Sequence, residues 1–164
     1  MIKNIIKGDL IEYAEKGRYD MIVHGCNCFH NMEAGFARQL ITRYPGVFRA
    51  DCEQTNSGDR KKLGRHTKFH TGKFLIINAY TQFSYGGERD IYYPALSRVF
   101  YDLNHQYPGT KVGIPKIGTG IAGGDWDIIS ELINATTSNL DIEVIEPRVK
   151  KSKLMESMAS LVGG

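Results

Sequence analysis

Two stretches almost a hundred residues apart carry the side chains and backbone suited to chemistry. The first, "VHGCNCFHNMEAGFARQL" (23–40), gathers His24, Cys26, Asn27, Cys28 and His30 between a strand-like and a helix-like run. The second, "IPKIGTGIAGGDWDIISELI" (114–133), leads from an apolar strand through Gly118, Thr119, Gly120, Ile121, Ala122, Gly123 and Gly124 into a helix beginning near Asp125. Glycines let a backbone turn tightly and bring its N–H groups against a ligand without a Cβ in the way. Successive amides ahead of a helix N-terminus suit a phosphate. The spacing lacks G-x-x-x-x-G-K-[ST], which disfavours a P-loop nucleotide hydrolase. A G-x-G-x-x-G match at Gly118, Gly120 and Gly123 comes too late in the chain for a first βαβ dinucleotide unit.

The cysteines point elsewhere than metal or nucleophilic chemistry. Cys26-x-Cys28 is not the C-x-x-C of redox or zinc sites, no second pair completes four ligands, and the arginine that a cysteine-dependent phosphatase needs does not follow. Cys26, Cys28 and Cys52 are expected as free thiols, and the chain is expected to hold no metal and no cofactor.

The elements that must position these stretches follow from hydrophobic period. Strands are expected at "IKNII" (2–6) and "YDMIVHG" (19–25), with a short helix at "LIEYAEK" (10–16). Pro45 ends a helix near Tyr44 and a second short helix follows. "HTKFHTGKFLIINAYTQ" (66–82) predicts a hairpin turning at Thr71 and Gly72. Leu96, Val99, Phe100 and Leu103 suit a helix buried on one face, followed by a strand at "KVGIP", a helix from about Asp125 to Ser138 and a last strand at "IEVIE" (142–146). The sum is an α/β domain of three layers, with helices on both faces of a mixed sheet of about six strands. Residues 1–147 form this domain, and 148–164 a basic tail that could be an amphipathic helix with Leu154, Met158 and Leu161 on one side, or a frayed terminus.

The length of 164 residues supports one core, and a net charge of +3 does not by itself indicate nucleic-acid binding. Basic residues cluster only at 59–68 and 148–153. A mean hydropathy of −0.32, no run long enough to span a bilayer and no signal-peptide apolar segment lead to the expectation of a cytoplasmic protein without a membrane partner.

In order and spacing, "KGDL" (7–10), "IVHGCNC" (22–28), "AGFARQL" (34–40) and "IPKIGTGIAGGDW" (114–126) resemble a macro domain. With "YTQFSYGG" (80–87), they most resemble the branch that processes ADP-ribose-1''-phosphate, and the resemblance covers about residues 1–147. It implies that Asp9 accepts a hydrogen bond from the adenine amino group, with Leu10 beside the ring. Asn27 would contact the distal ribose, Gly35, Phe36 and Ala37 would wrap that ribose and its phosphate, and the amides from Gly118 through Thr119, Gly120, Ile121 and Ala122 to Gly123 would hold the diphosphate. The chain departs from the pattern at Ala122, where relatives often carry an aromatic wall that Phe36 or Tyr85 would have to supply, and at "CFHNMEAG", which lacks a run of three glycines.

The implied activity is a metal-independent phosphatase that converts ADP-ribose-1''-phosphate to ADP-ribose and phosphate. His24 resembles the histidine proposed as catalytic in that branch and could be a general acid or a phosphate donor; a strand-end histidine bonded to backbone is the alternative. Asn27 could position the water, His30 could contact the terminal phosphate or stand in solvent, and Asp125 could orient a water or cap the helix. Two further functions compete: a binding module for ADP-ribose, free or on ADP-ribosylated macromolecules, and a hydrolase that removes ADP-ribose from them. The lysine one relative uses for removal, at the end of the middle strand, is absent from "IINAYTQ". No sequence-specific nucleic-acid partner is expected.

Overall fold

The computed structural model describes residues 1–87, 89–149, 158, 160 and 161. Six strands, β1 (Ile2–Lys7), β2 (Met21–Cys26), β3 (His66–His70), β4 (Leu75–Tyr80), β5 (Lys111–Ile114) and β6 (Asp141–Glu146), form one sheet in the order β1-β6-β5-β2-β4-β3. All neighbours run parallel except the β3–β4 hairpin, so the sheet is mixed, as expected.

Side chains alternate across the central strands and so build two cores. Met21 and Val23 of β2 pack with Ile77, Val112 and Ile114 against α4 (Tyr93–Gln106) and α5 (Trp126–Thr136). Ile22 and Cys26 pack on the opposite face with Ile76 and Tyr80, beneath α1 (Leu10–Glu15), α2 (Gly35–Arg43) and α3 (Gly46–Gln54). This period-two alternation on a sheet covered on both sides is why β2 reads as an unbroken apolar run.

Strand order decides where a ligand can enter. From β2 the chain continues through α2 and α3 toward β3 and β4, whereas from the adjacent β5 it crosses the other way to β6. The loops leaving β2 and β5 therefore diverge from neighbouring carboxyl ends and leave a crevice between them. Both stretches singled out above are these loops.

Of the tail, Met158 and Leu161 are helical and 58% and 82% exposed, and no buried apolar face involves them. Leu154 lies outside the described residues. Among the described residues no helix is long and apolar enough to cross a membrane.

Candidate functional site

Asp9 ends the β1–α1 connection as the N-cap of α1. Its Oδ1 accepts the Glu12 amide at 3.0 Å, which leaves Oδ2 to a ligand. The carboxylate opens onto a cavity of about 840 Å³ shared with Ile11, Gly35, Arg38, Gln39 and Thr42, and with Arg43, which pairs with Glu15. Leu10, expected beside an adenine ring, does not line this cavity. It is 4% exposed and belongs to the core with Ile11 and Ala14 of the same helix, although Ile11 also borders the cavity.

At the other side of the crevice stands the glycine loop after β5. Gly118 and Gly123 have φ of 78° and 68°, values that a side chain would strain, and the Gly124 amide closes the loop on the Gly118 carbonyl at 2.6 Å. Thr119 and Gly123 spend their amides inside the loop, on Lys116 and Gly120, and the Thr119 hydroxyl also bonds Lys116. The amides of Gly118, Gly120, Ile121 and Ala122 donate to nothing among the described residues. Ala122 itself is buried, its carbonyl accepting from Asp90 and Ile91, while Ile121 is 63% exposed.

The segment after β4 joins the two loops. Phe83 accepts the Cys28 amide at 2.9 Å, and seven residues later Asp90 donates to Ala122 at 3.0 Å. Tyr85 stands on this bridge, 54% exposed and edge-on to Phe29. Phe36 meets the His24 ring edge-on at 6.2 Å and is half-buried, and Ala37 packs beside it on the same core.

Three candidate catalytic side chains are committed elsewhere. His24 is 1% exposed on the floor beneath Phe36, and burial pulls its pKa down to about 4, so the ring is neutral at physiological pH. Its Nε2 lies 2.6 Å from Asn78 Oδ1. Asn78 Nδ2 donates to the Val47 carbonyl at 3.1 Å, which fixes the amide's orientation and makes Nε2 the protonated nitrogen of His24. The expectation of His24 as an acid or phosphate donor is therefore corrected, since its one N–H is spent in the core. Asn27 folds into its own loop, Nδ2 donating to Asn31 at 2.8 Å and Oδ1 accepting from Phe29 at 2.9 Å, so it shapes the loop. Asp125 caps α5 by accepting from Asp127 at 2.9 Å, the alternative reading of that residue. His30 differs: its ring is turned inward to Thr55 at 3.0 Å, rather than standing in solvent.

Below the first loop lies a buried polar chain that sequence reasoning missed. From His24 Nε2–H it runs through Asn78 to Thr67 Oγ1 (3.1 Å), from Thr67 to Tyr80 (2.8 Å) and from Tyr80 to Asp51 Oδ1 (2.5 Å). Lys62, 3% exposed, donates to the same oxygen at 3.0 Å. The Asp51 Oδ2 atom is buried with no hydrogen-bond partner among the described residues. The run at 59–68 thus sends one of its charges into the core, where Lys62 Nζ stands 4.4 Å from the centroid of the Tyr80 ring. Cys26 Sγ packs 3.5 Å from the His24 ring, and burial pushes the thiols of Cys26 and Cys28 up, Cys28 to about 11, so both stay protonated. Among the described residues no cluster of three or more His, Cys, Asp or Glu is placed to hold a metal.

Sheet order and ligand crevice together define the macrodomain fold. The macrodomain of Thermus aquaticus DarG matches with a TM-score of 0.69 at 18% identity, over 90% of this chain and 99% of that one. The Trypanosoma brucei macrodomain, solved in complex with ADP-ribose, matches with a TM-score of 0.60 at 14% identity, over 98% of this chain and 68% of that one. No family model matches the sequence. The chain is 37% identical over 154 residues to the uncharacterized 17.5 kDa protein of the tk-vs intergenic region of Enterobacteria phage T4, across 89% of its own length and 97% of the relative's, and it belongs to that protein's family.

Proposed function

We propose that the chain binds ADP-ribose and hydrolyses ADP-ribose-1''-phosphate to ADP-ribose and phosphate. The observation that carries the binding is polar complementarity. An acceptor oxygen on Asp9 opens onto a cavity, and four undonated amides line the neighbouring loop of the crevice. An exocyclic amine needs the first and a diphosphate the second. The macrodomain fold, and the ADP-ribose held by the Trypanosoma brucei protein, support the same ligand.

Asp9→Asn tests the pocket without removing the cap. An asparagine oxygen still accepts from Glu12, but the other atom becomes an amine that cannot accept from adenine. Calorimetry is expected to show ADP-ribose affinity falling by about tenfold or more, the worth of one lost ligand hydrogen bond with its donor left unpaired. Unchanged affinity would sink the pocket assignment.

Turnover is read by phosphate release from ADP-ribose-1''-phosphate. A second reading, a module that binds without turnover, is favoured by the structural commitments of His24, Asn27 and Asp125. Tight binding with no phosphate release would establish the module and eliminate the phosphatase.

A further inference from the structure

The cavity at Asp9 has more room than a base alone needs. Its volume of about 840 Å³ is of the size that encloses a whole drug-sized ligand. Among the described residues none of the glycine loop lines it, so the diphosphate of the proposed ligand leads out of the cavity and does not fill it. Two helices supply its walls: Asp9 and Ile11 come from the start of α1, and Arg38, Gln39 and Thr42 from one face of α2.

The α2 wall carries an uncommitted charge. The Thr42 hydroxyl is spent on the Arg38 carbonyl at 2.7 Å. Arg43 is held by Glu15 through two bonds, at 2.7 Å and 3.3 Å, and lies over the Tyr44 ring. The Arg38 guanidinium and the Gln39 side-chain amide, by contrast, bond no group among the described residues, although both residues are exposed and line the cavity. The helix, GFARQLITR, contains no acidic residue to neutralise Arg38, and no ion pair joins Arg38 to Asp9 across the cavity.

We propose that Arg38 makes this cavity a site for a phosphate carried on the adenosine ribose, so that the favoured ligand class is ADP-ribose substituted at a free hydroxyl of that ribose. The inference rests on the ADP-ribose reading above. With the exocyclic amine at Asp9, the ribose bonded to the base lies at the cavity, and its 5' oxygen leads toward the glycine loop. Its 2'- and 3'-hydroxyls are then the points from which a substituent stays within reach of the α2 wall. A guanidinium suits a phosphate there, because its planar fork offers two parallel N–H donors and stays charged at every physiological pH. The Gln39 amide supplies a further donor. Two ligands share this chemistry: ADP-ribose bearing a phosphomonoester, and a chain in which a second ADP-ribose unit attached at the 2'-hydroxyl brings its own diphosphate.

Calorimetry of the full chain with ADP-ribose, its 2'-phosphate, its 3'-phosphate and the 2'-linked two-unit chain tests this. At least one substituted ligand is expected to bind about threefold to tenfold more tightly than ADP-ribose, the effect of one charge-assisted contact at an exposed site. The advantage should shrink as salt is raised. A gain confined to the phosphomonoesters or to the two-unit chain identifies the source, and a gain for both assigns it to the phosphate itself. In Arg38→Gln the advantage is expected to vanish, and in Arg38→Lys to survive in part, since the charge remains without the fork. Equal or weaker binding of every substituted ligand, an advantage undiminished in Arg38→Gln, or one lost equally in Arg43→Gln overturns the proposal. A wild type that binds ADP-ribose without preference removes this inference alone, whereas one that binds none of the ligands removes the ADP-ribose reading with it.

Discussion

The floor of the first loop and the glycine loop face the same crevice but are built by opposite means. The floor is side chains: His24, Asn78, Thr67, Tyr80 and Asp51, all buried and joined in one chain of donors ending on a carboxylate that Lys62 neutralises, with Asp51 Oδ2 alone left without a partner among the described residues. The glycine loop is backbone, with four amides left undonated and Ile121 standing in solvent. A satisfied buried network makes structure rigid and is costly to interrupt, whereas unspent amides contribute nothing to the fold until a ligand arrives. Stability and binding are thus allotted to different walls of one pocket.

The largest test of that contrast is Asp51→Ala. It leaves the Lys62 ammonium buried without its partner, and chemical denaturation should show a loss of about 3–5 kcal/mol. A loss under about 1 kcal/mol would mean that the floor is not the stabilising wall.

Acid should act on the floor as well. In the folded protein burial holds the pKa of His24 down at about 4, against the ordinary histidine value of 6.5, so the unfolded chain binds the proton first. The stability associated with neutral His24 is complete above pH 6.5, is lost as pH falls toward 4, and changes no further below that. Denaturation midpoints of wild type against His24→Asn should diverge by roughly 3 kcal/mol across that window. Parallel curves would mean that the histidine is not buried neutral.

On the opposite wall Gly120→Ala should do the reverse. An added Cβ there meets nothing within 4 Å, so the stability change should stay within about 0.5 kcal/mol. The methyl group nevertheless stands where a diphosphate would approach the amides, and ADP-ribose affinity should fall in calorimetry. A stability loss without a binding loss would reverse the contrast.

Legibility in the sequence follows the same division. The strands, α4, α5 and the glycine loop announce themselves because apolar period and glycine spacing are local properties. Leu10 and Ile11 are both buried, and a motif does not encode which of two adjacent apolar residues borders the cavity, because that depends on how the cap sets the helix phase. Asn78 and Tyr80 left a readable trace, a polar group and a phenol two apart in an apolar strand and therefore on one face. Asp51 and Lys62 left none: one lies in a helix whose neighbours are polar, the other in a basic run that reads as solvated, and only the packing of α3 against β3 and β4 brings them together. The short 3-10 turn at Arg60–Lys62 that delivers the lysine is likewise below the length at which periodicity can be read.

The chain of donors beneath the first loop has a direction, and direction constrains descent. Each member between His24 and Asp51 must give a proton forward and receive one from behind, so serine can replace Thr67 but valine cannot, and phenylalanine at Tyr80 would sever both sides at once. Asp51 and Lys62 can be exchanged only together, since either charge alone is costly to bury. Substitutions on the outer helices leave this network untouched, while these six side chains can change only as a unit.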